Sequence, residues 1–225
     1  MGNIIFNTYQ RNGFEIISTE EEQEDSNNPK VASKLKKEKE DREKVINIIW
    51  NYILKSLCNK IYESKSLFYD QVFNLKLISL NSFVNPSNLN IPKEIINKEI
   101  FDKVQLHIRK IDEQRTPGGM LEEYGIAVHL VNLLFKFFLN QENTAADDIN
   151  PVIIYSIITA QPQRIIFNIN FSKFFLSERD LLGGIGYNIT QAETSIDFIQ
   201  KLDAKQIGIS QDEFNQKCAT IKFDK

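Results

Sequence analysis

An all-α fold, a layered array of helices, is the architecture this sequence predicts, and three observations carry the prediction. Apolar residues recur at helical spacing over most of the chain, as in the 3-4-4 stripe Ile46, Ile49, Ile53 and Leu57. No segment shows the strict alternation of a half-buried strand. Nine glycines and six prolines in 225 residues leave too few turns for an all-β sandwich of this length.

Residues 1–30 hold an acidic cluster (Glu20, Glu21, Glu22, Glu24, Asp25) and then Ser26-Asn27-Asn28-Pro29, with little to bury, so a flexible acidic tail is expected. Its short apolar pieces, Ile4-Ile5-Phe6 and Phe14-Ile16-Ile17, are candidates for docking on the domain or a partner. From Val31 a long amphipathic helix runs past Trp50 with no glycine or proline until beyond Tyr62; its charge run, Lys34 to Lys44, reads as a solvated face. Ser64–Phe83 is helical, and Asn85-Pro86-Ser87-Asn88 breaks the chain. Pro92 opens a helix over Lys93–Ile111. Thr116-Pro117-Gly118-Gly119 reads as a turn before a helix to Leu139. Pro151–Ala160 is apolar on every side and should be a central helix. Its β-branched run Val152–Ile158 would also suit a buried strand, but no second run exists to pair with it. Pro162 ends it, and Ile165–Phe175 is the next helix. Gly183-Gly184-Ile185-Gly186 reads as a flexible connector before helices over Thr190–Leu202 and Ser210–Cys218, the last opened by a capping box of Ser210 and Glu213.

Composition excludes several functions. With 27 basic and 30 acidic residues the net charge is −3, so nucleic acid is not an expected partner. Cys58 and Cys218 are too few for a disulfide scaffold or a four-cysteine zinc site. The most apolar window, Tyr124–Leu139, is interrupted by His129, Asn132 and Lys136 and is shorter than the ~20 residues that span a bilayer. The start has a glycine at position 2, but Phe6 stands where a myristoylation signal wants serine or threonine, and no secretory signal is visible. A soluble, cytoplasmic chain without metal or cofactor is expected. His107 and His129 lie 22 residues apart and read as packed or solvated side chains. The glycines at 183, 184 and 186 miss the dinucleotide pattern at Ile189, and no strand precedes them.

Asp147-Asp148-Ile149-Asn150-Pro151 stands out, because two carboxylates precede a helix that must be buried. Capping accounts for part of it: Asn150 as N-cap, Pro151 at the first helical position, and the acids at the positive end of the dipole. Capping does not need both aspartates, so one is free to project from a rigid base.

On these residues the sequence resembles a known family. AADDINPVIIYSIITAQPQRIIFNINFSKFF (145–175), GGIGYNIT (183–190) and AETSIDFIQKLDA (192–204) look like the vacuolar protein sorting 9 domain, the exchange-factor module for early-endosomal Rab GTPases. Asp147, Asp148, Pro151, Pro162, Asn168, Tyr187 and Thr190 fall in register with the family pattern, Tyr187 coming 40 residues after Asp147. LDAKQIGISQDEF (202–214) is similar to the segment C-terminal to the domain in rabaptin-associated exchange factors. Upstream, Ile91-Pro92 and Arg115-Thr116-Pro117 match in order. The resemblance implies an exchange domain over 68–205, an N-terminal helical bundle segment over 31–67 packed on that core, and a C-terminal helix within 206–225 packing on it.

For function the resemblance implies a guanine-nucleotide exchange factor for an early-endosomal, Rab5-like small GTPase, acting without covalent chemistry. Asp147 would be the catalytic finger aimed at the GTPase's P-loop lysine. Tyr187 and Thr190 would contact the switch regions across an apolar groove flanked by the helices Pro151–Ala160 and Thr190–Leu202. Asp148, Pro151 and Asn168 would shape the site. Recruitment to early endosomes, as a peripheral membrane association, would come through partners. Two positions depart from the pattern: family members often carry an acid where Gly184 stands and a basic residue where Met120 stands. These departures motivate the alternative of an inactive interaction module that binds a Rab or a tether.

Overall fold

A computed structural model describes residues 29–62, 68–96, 98–141, 144–176 and 183–219. The expected tail, residues 1–30, falls outside them except for its last two positions, and so does the start of the helix expected over Ser64–Phe83. Among the described residues every regular element is helical. The α-helices are α1 (Pro29–Tyr62), α2 (Phe68–Asn81), α3 (Lys98–Lys110), α4 (Pro117–Leu139), α5 (Ala146–Ala160), α6 (Ile165–Phe175), α7 (Gly184–Lys201) and α8 (Gln211–Ala219). Short 3-10 turns cover Pro86–Leu89, Lys93–Ile95 and Ile111–Glu113.

The chain divides into two compact units, one ending at Leu57 and the other beginning at Cys58. The described part of the first belongs to α1, a continuous helix that leaves Ile49, Trp50 and Ile53 exposed. The second unit holds the helical array. Its centre is α5, which packs against α2, α3, α4 and α7. Val152, Ile153, Ile154, Ile157 and Ile158 are all buried, so the run that periodicity left open between strand and helix is a helix enclosed by helices. Helix α4 is the second pillar, touching α3, α5, α6 and α7, and it buries Met120, Leu121, Tyr124, Val131 and Leu134. At the far end α8 meets α2, where Phe214 stands edge-on to Phe83 at 5.7 Å.

Four boundaries differ from the sequence expectation. The Lys93–Ile111 stretch is not one helix: Ile96 leaves helical geometry at ψ 54°. Both Ile91 and Ile95 are buried, so the approach to α3 is anchored in the core instead of continuing the helix. Gly118 and Gly119 are not a turn but the first turn of α4. Thr116 caps it by accepting the Gly119 N–H at 3.3 Å, with Pro117 at the first helical position. The other two, at the starts of α5 and α7, bear on the site.

Candidate functional site

The start of α5 departs from the capping expectation. The helix begins at Ala146, five residues before Pro151, with Ala145 at the N-cap. Asn150 is therefore not the cap, and Pro151 lies in the second turn. A proline there has no N–H for the carbonyl of Asp147, four residues earlier, and normally disfavours the preceding turn. Two features offset this. Asp147 and Asp148 both sit in the first turn, at the positive end of the helix dipole. Ile149 is buried, which draws that turn into the core. Asp147 precedes Ile149 by two residues, about 200° around the helix, so burying the isoleucine turns the aspartate outward.

The two carboxylates consequently have different surroundings. Asp148 is half-buried, and its Oδ2 accepts from Gln141 Nε2 at 3.4 Å, which ties α5 to the end of α4. Asp147 is exposed and, among the described residues, takes part in no side-chain hydrogen bond or ion pair. Pro151 is half-buried beneath them.

Helix α7 starts at Gly184 with Gly183 at its N-cap, so Gly183–Gly186 is the helix's opening and not a flexible connector. Glycines cost a helix interior roughly 1 kcal/mol each. Here they occupy the cap and first turn, and the burial of Ile189, Ala192, Ser195 and Ile196 holds the rest. The consequence is geometric. Tyr187 and Thr190 are three residues apart on one regular helix and share a face. Tyr187 is 48% exposed, so it is a surface residue and not a core one. Thr190 is exposed, and its hydroxyl donates to the Gly186 carbonyl at 3.0 Å. Helices α5 and α7 pack against each other. Gln191 Nε2 donates to Asn150 Oδ1 at 3.1 Å, which sets the turn after Asp147 beside the turn that holds Thr190.

Asn168 has a supporting place. It is fully buried on α6, and its Nδ2 donates to Asp112 Oδ1 at 2.9 Å. Asp112 also accepts the backbone N–H groups of Gln163 and Arg164. One turn along, Asp70 of α2 accepts the N–H groups of Ile166 and Phe167 at 2.9 and 3.1 Å. Two distant aspartates thus cap the N-terminus of α6, whose own N-cap, Arg164, supplies no side-chain cap. Burial pushes the Asp70 carboxyl up to about 6, against the pull of the two amides, and raises Asp112 as well. The same α2 sends Lys76 to the other end of the array, where its Nζ donates to the carbonyls of Gln200 and Leu202 at the C-terminus of α7. An acid at one helix's positive end and a base at another's negative end make α2 a brace for the array.

Asp70, Asp112, Lys76 and Gln191 were not legible as a set. Each bonds a residue distant in sequence, 41 to 126 positions away, and no local motif announces such pairs. The departures from the family pattern also acquire places. Met120 is fully buried against Ser172, whose Oγ lies 3.4 Å from its sulfur, so it bears on packing and touches no partner. Gly184 is exposed, and a Cβ added there would meet nothing within 4 Å.

His107 Nδ1 lies 2.6 Å from Glu123 Oε2, and His129 is exposed. Cys58 is buried. Among the described residues no group of three or more His, Cys, Asp or Glu is placed to hold a metal, and no helix is long and apolar enough to cross a membrane.

Known proteins are similar to this chain over the helices that carry these residues. The model of the vacuolar sorting protein 9 (VPS9) domain matches residues 101–204, a span that takes in α4, α5, α6 and α7. Vacuolar protein sorting-associated protein 9A of Arabidopsis thaliana is 26% identical over 176 residues, 76% of this chain and 34% of its own length. A human protein named Rab5 GDP/GTP exchange factor is 27% identical over 186 residues, 77% of this chain and 36% of its own. The mouse protein of that name is 31% identical over 146 residues, 63% of this chain and 29% of its own. The chain thus spans only about a third of the length of these relatives. From residue 101 to residue 204, this chain is similar to the VPS9 domain family.

Proposed function

We propose that the chain is a guanine-nucleotide exchange factor for a Rab-family small GTPase of the early endosome, Rab5-like, with Asp147 as its catalytic finger. The observation that carries the reading is the contrast within α5: of two adjacent aspartates, Asp148 is engaged and Asp147 stands exposed on a helix rooted in the core. Its neighbour α7 offers Tyr187 and Thr190 from one exposed face. The exchange-factor relatives support the activity.

A small GTPase holds its diphosphate through Mg²⁺ and a P-loop lysine. An exchange factor accelerates release by binding the nucleotide-free state better than the loaded one. Asp147 supplies that difference. Its carboxylate replaces the phosphate as the lysine's partner while repelling the departing diphosphate and competing for the metal. A unit charge at ~4 Å and an effective dielectric near 20 is worth up to about 4 kcal/mol. Roughly 3 kcal/mol of this in the transition state is about two orders of magnitude in rate. Tyr187 adds a flat apolar face with a hydroxyl at its tip, suited to gripping a switch segment. Asp148, Pro151 and Asn168 shape the platform: Asp148 by its bond to Gln141, Pro151 by withholding an N–H from the Asp147 carbonyl and so loosening the turn that carries the finger, Asn168 by fixing α6 to Asp112. The protein works at the cytoplasmic face of early endosomes and is brought there by partners.

The test is release of fluorescent GDP from a panel of purified Rabs. The chain accelerates release from an early-endosomal Rab, and Asp147→Ala lowers that acceleration about 100-fold with unchanged helicity. An unchanged rate in the variant refutes the finger. Rab binding by the wild-type chain without acceleration establishes the inactive interaction module instead, the reading that Gly184 favours by putting no acid at the start of α7.

A further inference from the structure

The three residues assigned to the GTPase lie on two helices, and exchange needs their spacing held within a fraction of an ångström. Asp147 sits at the N-terminus of α5, Tyr187 and Thr190 at the N-terminus of α7, and helix ends are where fraying is greatest. Proline at 151 removes a hydrogen bond from one end and three glycines loosen the other. Something must tie these ends together.

The structure offers one polar tie at the right height. Asn150 lies three residues beyond Asp147, and Gln191 four beyond Tyr187 and one beyond Thr190, so each is within about one helical turn of the residues it would steady. Gln191 is 5% exposed, and its amide donates to Asn150 Oδ1 at 3.1 Å across the α5–α7 contact. Its own Oε1 is buried and finds no partner among the described residues, so Gln191 is an expensive residue to place there. An apolar side chain would fill the position without that penalty. One turn on, Ser195 and, from α4, Tyr124 are both fully buried, and neither hydroxyl finds a hydrogen-bond partner among the described residues. On the other flank Gly125 of α4 lets Asn188 approach until an added Cβ would stand 3.0 Å from its Nδ2. Apolar contacts tolerate sliding, whereas a part-buried directional bond favours one register.

We infer that Asn150 and Gln191 are a positioning pair for nucleotide exchange: their hydrogen bond locks the rotation and height of α7 against α5 and so sets Tyr187 and Thr190 at a fixed distance from Asp147. Neither residue touches the GTPase. This rests on the exchange reading above.

The experiment uses the full chain in four forms: wild type, Asn150→Leu, Gln191→Leu, and the exchanged pair Asn150→Gln/Gln191→Asn. Rab-stimulated GDP release is measured against Rab concentration, and amide hydrogen exchange is followed at residues 184–190 without any GTPase. Each single variant should lower kcat about tenfold, leave KM for the Rab nearly unchanged, and speed amide exchange over 184–190 by about the same factor. The exchanged pair, which keeps one donor and one acceptor, should recover most of both. Loss of kcat that tracks only the fall in melting temperature, with no recovery in the exchanged pair, overturns the proposal; so does an unchanged kcat with unchanged amide exchange. If the wild-type chain accelerates no Rab, the exchange reading falls and takes the functional half of the proposal with it. The amide exchange then still decides whether the pair locks α7.

Discussion

Replacing Asp70 by asparagine tests the brace that carries the site from below. The carboxylate is 3% exposed and accepts two backbone N–H groups at the start of α6. Asparagine keeps the volume but has one oxygen and one amino group, so one of the two amides loses its acceptor. An orphaned buried donor costs about 1–3 kcal/mol. The pH dependence is the sharper signal. Burial raises the folded pKa from 3.8 to about 6, so the native state binds the proton more tightly than the unfolded chain. This group's stabilisation is therefore complete below the unfolded value and is lost as pH rises through about 6. The displacement of about 2.2 pH units corresponds to at most ~3 kcal/mol at 1.36 kcal/mol per unit. Asp112 shifts in the same direction and remains in the variant; because its charge also acts on Asp70, the difference between the two proteins reports Asp70 together with that coupling. Urea unfolding at intervals from pH 4 to pH 7 should show the wild type losing up to about 3 kcal/mol relative to Asp70→Asn across the range. Parallel stability curves for the two proteins would refute the reasoning, since they would mean that Asp70 ionises in the folded protein as it does in the unfolded one.

Two further substitutions probe the ends of α7. Lys76→Ala removes the donor from the Gln200 and Leu202 carbonyls and should cost about 1–2 kcal/mol in thermal or urea unfolding, without changing the Asp147 dependence of exchange. Gly184→Asp places an acid at the first position of α7, in open space, where both helix propensity and the dipole favour it. It should stabilise the protein by about 1 kcal/mol, visible as a rise of about 2–4 °C in melting temperature, and should raise stimulated GDP release if the missing acid limits exchange.

The helical class, the central place of α5 and most element positions are legible in the sequence because they depend on local quantities. The apolar run Val152–Ile158, broken only by Ser156, demands burial, and every residue of it but the half-buried Tyr155 is buried in α5. Ser210 before Glu213 is a capping signal, and Ser210 Oγ accepts the Glu213 N–H at 3.1 Å. The errors lie where local rules compete with burial. Pro151 reads as a helix start by propensity, yet burying Ile149 pulls five more residues into the helix. Gly183–Gly186 reads as a hinge, yet the buried stretch from Ile189 onward extends α7 back through it. Both errors fall in the candidate site, and both change what it can do: one puts Asp147 on a helix, the other puts Tyr187 and Thr190 on a shared face.

By itself, then, the order of residues determined an all-α chain, and its resemblance to the VPS9 domain pointed to Asp147, Tyr187 and Thr190. Only the tertiary structure decided which of two adjacent aspartates is engaged, how the α6 N-terminus is capped, and what joins α5 to α7. The reason is physical. Helix formation depends on neighbours three and four residues apart, whereas Asp70, Asp112, Lys76 and the Asn150–Gln191 pair act across 41 to 126 positions and find their partners only once the array has closed.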